Sequence, residues 1–88
     1  MTLDEQRAII EMGRNAEALK ANPALEACFA STLDDLFVKW ASTKSDDVEE
    51  RDFLWSTAQA LQAFKVTMDI FIQEGAIERK QREEQENK

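Results

Sequence analysis

Apolar residues along this chain fall into three helical stripes. Between residues 23 and 43, Leu25, Phe29, Leu33, Leu36 and Trp40 recur at spacings of three and four, which holds them on one face of a helix. Ala30 and Phe37 widen that face, while Asp34, Asp35 and Lys39 lie away from it. The stretch from 47 to 74 is denser. Wound at about 100° per residue, it places Phe53, Leu54, Leu61, Phe64, Met68, Phe71 and Ile72 on one broad face. Trp55, Ala63, Val66 and Ile70 fall on nearly the opposite side. Arg51, Lys65 and Asp69 separate the two zones on one flank, and Ser56, Thr67 and Glu74 do so on the other. Residues 3–21 carry a narrower stripe: Ile9, Met12, Gly13, Ala16 and Leu19. Gly13 costs a helix about 1 kcal/mol relative to Ala. It reads as a weak spot in a marginal helix, with a close-packing site as the alternative.

Punctuation agrees with these stripes. Asn22-Pro23 ends one helix and starts another, because proline disfavours helix for the residue before it and suits the first helical position. Asn22 is then the N-cap. Thr43–Asp47 (TKSDD) is a turn, and Asp46 with Glu49 has the form of a capping box. Gly75 is placed to end the third helix as a C′ residue. With a short turn between them, the second and third helices pack antiparallel. Trp40 then meets Leu54, Leu36 meets Ala58, Leu33 meets Leu61, Phe29 meets Phe64 or Lys65, and Leu25 meets Met68. The expected class is all-α: a long antiparallel hairpin (23–43 and 47–74), a shorter N-terminal helix (3–21) and a polar tail. Residues 1–75 form a single domain, and 76–88 are a charged tail, frayed or a helical extension.

A third helix that is apolar on two sides needs two covers. One is the second helix; the other is the first helix folded back, or another chain. The first helix is short of large apolar groups, so at least part of the zone of Trp55, Ala63, Val66 and Ile70 is expected to be buried by another chain.

Composition narrows the chemistry. The chain has 88 residues, 43% hydrophobic and 33% charged, with two glycines, one proline and no tyrosine. This favours a small, ordered helical domain of modest stability. Its net charge of −7 argues against nucleic acid or an anionic membrane as the main partner. The N-terminal MTLDEQRAII has acids where a signal peptide carries bases. A lone Cys28 allows no internal disulfide. The expected location is a reducing cytoplasm.

Histidine is absent, which removes the commonest general base and metal ligand. Cys28, beside Phe29 on the apolar side, reads as a buried, inert thiol. Met12 and Met68 read as core filling. The single glycines form no phosphate loop, and adjacent Asp34 and Asp35 point about 100° apart on a helix. Asp46, Asp47, Glu49 and Glu50 sit at the positive end of a helix dipole and lack the glycine turn of a calcium loop. The expectation is a protein with no catalytic residues, no cofactor and no metal.

The segments GRNAEALKANPALEACFASTLDDLFVKW and ERDFLWSTAQALQAFKVTMDIFIQEG resemble a group of short, acidic helical proteins of tailed phages and prophages, often encoded among capsid and packaging genes. The NPAL helix start, a Trp or Leu near that helix's end, ERDFLW and the closing EG carry the resemblance over roughly residues 13–76. It implies a setting in particle assembly, in a host-cell cytoplasm or associated with the virion, and no catalytic site. The expected function is a helical interaction protein that self-associates or docks on a phage structural protein through Trp55, Ala63, Val66 and Ile70. The alternative is a small acidic inhibitor or adaptor that binds a host protein through Asp46, Asp47, Glu49 and Glu50.

Overall fold

The computed structural model describes residues 1–87 and contains three helices: α1 (Leu3–Lys20), α2 (Pro23–Ser42) and α3 (Val48–Glu86). The all-α class is as expected. Each helix starts with a side-chain cap that satisfies a free backbone N–H. Thr2 Oγ1 accepts from Glu5 N at 3.1 Å, Asn22 Oδ1 from Ala24 N at 2.9 Å, and Asp47 Oδ1 from Glu50 N at 3.4 Å. The cap of α3 is thus Asp47, one residue later than the Asp46–Glu49 pairing suggests.

α3 does not stop at Gly75. It runs on to Glu86, so the tail is a helical extension over most of its length. Gly75 has no positive φ, the backbone state that a terminating C′ glycine supplies. It is buried instead, against Gly13 of α1. A Cβ on Gly13 would sit 2.8 Å from the carbonyl oxygen of Phe71 and 2.9 Å from Gly75 Cα. One on Gly75 would sit 2.9 Å from Gly13 Cα and 3.2 Å from the Ile9 carbonyl oxygen. The two helix backbones touch here, so Gly13 is a close-packing site rather than a weak spot.

Around that crossing, Gln6 donates to the carbonyl oxygen of Glu78 at 3.4 Å and to its carboxylate at 3.2 Å. Lys20 pairs with Asp69 at the other end. α1 therefore lies antiparallel on the C-terminal half of α3, which it contacts more extensively than α2 does. Past the break at Asn22-Pro23 the chain continues in the same direction. α2 lies on the N-terminal half of α3, with the Phe29 and Phe64 rings 5.5 Å apart and Arg51 4.1 Å from the Trp40 ring centre. The first two helices share α3 end to end.

The result is a rod, 64 × 25 × 16 Å, whose long dimension is close to the ~58 Å of a helix as long as α3. Its radius of gyration is 18.8 Å, against about 12 Å for a compact chain of this length. At every level it is only two helices thick, so nothing encloses a core. Ile10, Ala16, Phe29, Leu54 and Met68 are buried, and none of the described side chains is completely so. Leu25, Leu33, Leu36, Leu61 and Ile72 are half-buried.

Several residues assigned to the core are exposed for this reason: Trp40 (37%), Phe64 (50%), Phe53, Phe71, Met12 and Leu19. Cys28 is exposed as well, since no third helix passes over its flank of α2. On α1 the buried stripe is Gln6, Ile10, Gly13 and Ala16, one step round from the expected one.

Two measurements check this packing. Gly13→Ala would stabilise an open helix by about 1 kcal/mol. Here it should lower the urea midpoint, and Gly13→Val should cost about 2 kcal/mol or more, because two backbones must separate. Amide exchange should accelerate in α1 before α2; an unchanged or higher midpoint would refute the contact. Asn22→Ala should cost about 1 kcal/mol through the lost cap, read as a lower thermal midpoint with little change in far-ultraviolet ellipticity at low temperature.

Candidate functional site

The residues singled out on the outer side of α3 are all uncovered. Trp55 is 62% exposed, Val66 56% and Ile70 45%, and Ala63 is exposed beside them. α1 does not fold back over them, because the Gly13–Gly75 contact holds it on another side of α3. Unbroken helix to Glu86 also adds residues to this face. Val48 and Ile77 share it by winding and are exposed, so apolar side chains recur along most of the length of α3, interspersed with the exposed Asp52, Gln59 and Gln73. Ile77 was hidden in the sequence by reading Gly75 as a terminus.

A second apolar surface lies between α2 and the N-terminal half of α3. It is an open groove of about 520 Å³, with Leu33, Leu36, Phe37 and Trp40 on one side and Leu54, Trp55 and Ala58 on the other. Asp34 and Gln62 supply its polar edge. Beyond Trp40 and Trp55 the surface continues to Val48, Arg51 and Asp52. Both tryptophans of the chain therefore border one groove. The Arg51 guanidinium lies over the Trp40 face, a contact worth about 0.5–1 kcal/mol at an exposed site, and fixes the indole at the groove's end. Periodicity named Leu33, Leu36, Trp40 and Leu54 but assigned them to an enclosed core. Phe37, 68% exposed at the rim, was visible only as a widening of the stripe.

Asp46, Asp47, Glu49 and Glu50 are clustered at the turn end of the rod and exposed. The Asp47 carboxylate is engaged as the cap of α3, and Glu49 and Glu50 fill the first turn. Unpaired N–H groups and the helix dipole account for acids at these positions. Among the described residues no three His, Cys, Asp or Glu side chains are grouped so as to hold a metal ion. No described helix is long and apolar enough to cross a membrane.

What the arrangement can do is bury apolar surface. The accessible surface is 6789 Å², against about 5,300 Å² for a compact monomer of this mass. The excess of about 1,500 Å² follows from the elongated shape. Comparison with protein-family models, with curated proteins and with solved structures found no match for this chain.

Proposed function

We propose that this chain is a non-enzymatic helical interaction protein, an assembly or structural factor of a phage or prophage particle that docks on a larger component. The observation that carries the docking part is the apolar line Val48, Trp55, Val66, Ile70 and Ile77, which none of the chain's own helices covers. Desolvated aromatic and aliphatic groups dominate interface energies, and a straight helix presenting them over its length suits a groove or a neighbouring helix on a partner. The particle setting rests on the resemblance of residues 13–76 to the acidic phage and prophage proteins. That setting places the chain in a host cytoplasm until it joins a particle.

Charge gives the rival reading no comparable support. Asp47 is already engaged as the cap of α3, and Glu49 and Glu50 sit in its first turn, where the helix dipole accounts for acids.

The test is a double substitution in the phage or prophage that encodes the chain. Val66→Glu with Ile70→Glu should leave ellipticity unchanged, since both side chains are solvent-exposed, and should reduce completed particles at least tenfold. Wild-type chain should co-purify with particles or their precursors, and the double variant should not. Normal particle yield with the double variant, or with the gene deleted, would overturn the reading.

A further inference from the structure

We infer that a second copy of this chain occupies the groove between α2 and α3, closing the N-terminal half of the rod into a four-helix bundle about a two-fold axis. The inference deepens the interaction reading, resting on it only in taking the chain to act through apolar contact. It concerns a different surface from Val66, Ile70 and Ile77.

The first argument is geometric. A pair of helices has one side on which each stripe widens, and here that side holds Leu33, Leu36, Phe37 and Trp40 facing Leu54, Trp55 and Ala58. A helix pair cannot enclose such a surface, whereas two pairs facing each other make the core of a four-helix bundle. A two-fold contact applies the same patch to itself. The rim aromatic Phe37 of each copy then enters the groove of the other, where the floor is Leu36, Leu54 and Ala58.

The second argument is exposure. Phe37 is 68% exposed, Trp55 62% and Trp40 37%, so three aromatic side chains of this one groove meet solvent, a patch that a monomer rarely leaves uncovered. The third is chemistry. A third of the chain is charged, yet the groove's charged groups stand only at its ends: Asp34 at one, Arg51 and Asp52 at the other. An aromatic, charge-depleted centre is the composition of interfaces between like subunits. A basic partner would instead call for acids along the groove, and a chain of net charge −7 has acids to place there.

Sedimentation equilibrium across a concentration series tests this, with tryptophan emission recorded on the same samples. The expected mass is twice 10.1 kDa, with dissociation on dilution. Trp40 and Trp55 are the only tryptophans and both border the groove, so emission should shift to the red as the mass halves. Phe37→Glu should weaken the dimer at least about 30-fold. Val38→Glu, exposed on the far side of α2, should change it less than about threefold. Added salt should leave the dimer intact or tighten it, since two anionic copies repel.

A monomer at all concentrations overturns the inference. So does a dimer that tolerates Phe37→Glu, or one whose dissociation leaves the emission unmoved. Phe37 is exposed in the single chain, so its substitution should not unfold it; unfolding of Phe37→Glu would show a role within the chain and count against the dimer. A monomer with particle assembly still dependent on Val66 and Ile70 removes only the dimer. A dimer with indifferent particles removes only the particle reading.

Discussion

The contact between Gly13 and Gly75 decides the shape of this molecule. With no Cβ on either side, α1 settles with its backbone against that of α3 and cannot slide without opening a gap. Gln6 with Glu78 and Lys20 with Asp69 fix the register on either side of the crossing. The salt bridge is exposed and contributes little energy by itself; its value lies in restricting direction. Once α1 occupies the C-terminal half of α3, the chain reaches Asn22-Pro23 about halfway along the rod. The cap at Asn22 starts α2 there, in line, and α2 takes the half that is left.

End-to-end sharing of one long helix has an energetic consequence. A small chain buries a modest fraction of its surface even when it folds compactly. Spread as two layers, it gives up the third layer that would cover the backs of α2 and α3. Apolar side chains that would form a core in a three-helix bundle stay exposed. Trp40, Phe64 and Phe53 illustrate this: each lies on the inward-leaning part of its helix and still meets solvent. Stability of the isolated chain then depends on helix caps, favourable propensity and the few buried contacts around Phe29, Leu54 and Met68.

Much of the secondary structure was legible in the sequence, because it rests on local chemistry. The breaks at Asn22-Pro23 and Thr43–Asp47 come from proline, caps and turn residues, all within a few positions of their effect. The antiparallel approach of α2 to α3 could be read from matching stripes, and Phe29 does meet Phe64 and Lys65. What failed was non-local. Gly13 and Gly75 each have an ordinary local meaning, a weak helix residue and a terminator, and only their contact across the fold gives the actual one. The wrong end for α3 followed from this, and it hid Ile77 from the outer apolar line. Errors of burial at Trp40, Phe64, Met12 and Cys28 share another cause. Periodicity says which side chains share a face, and it does not say whether anything lies over that face.

The candidate surface was legible in kind and incomplete in extent. Trp55, Val66 and Ile70 were marked as a second apolar zone, and they are uncovered, yet the larger groove was folded into the core by assumption. The two surfaces meet at Trp55, which borders the groove and stands at one end of the outer line. That position couples them physically. A side chain partly buried by one occupant presents only its remaining edge to another, so occupation of the groove changes what Trp55 can offer along α3. Beyond Trp55 the outer line is separate, because Val66, Ile70 and Ile77 lie past Gln62, the last residue of α3 that lines the groove.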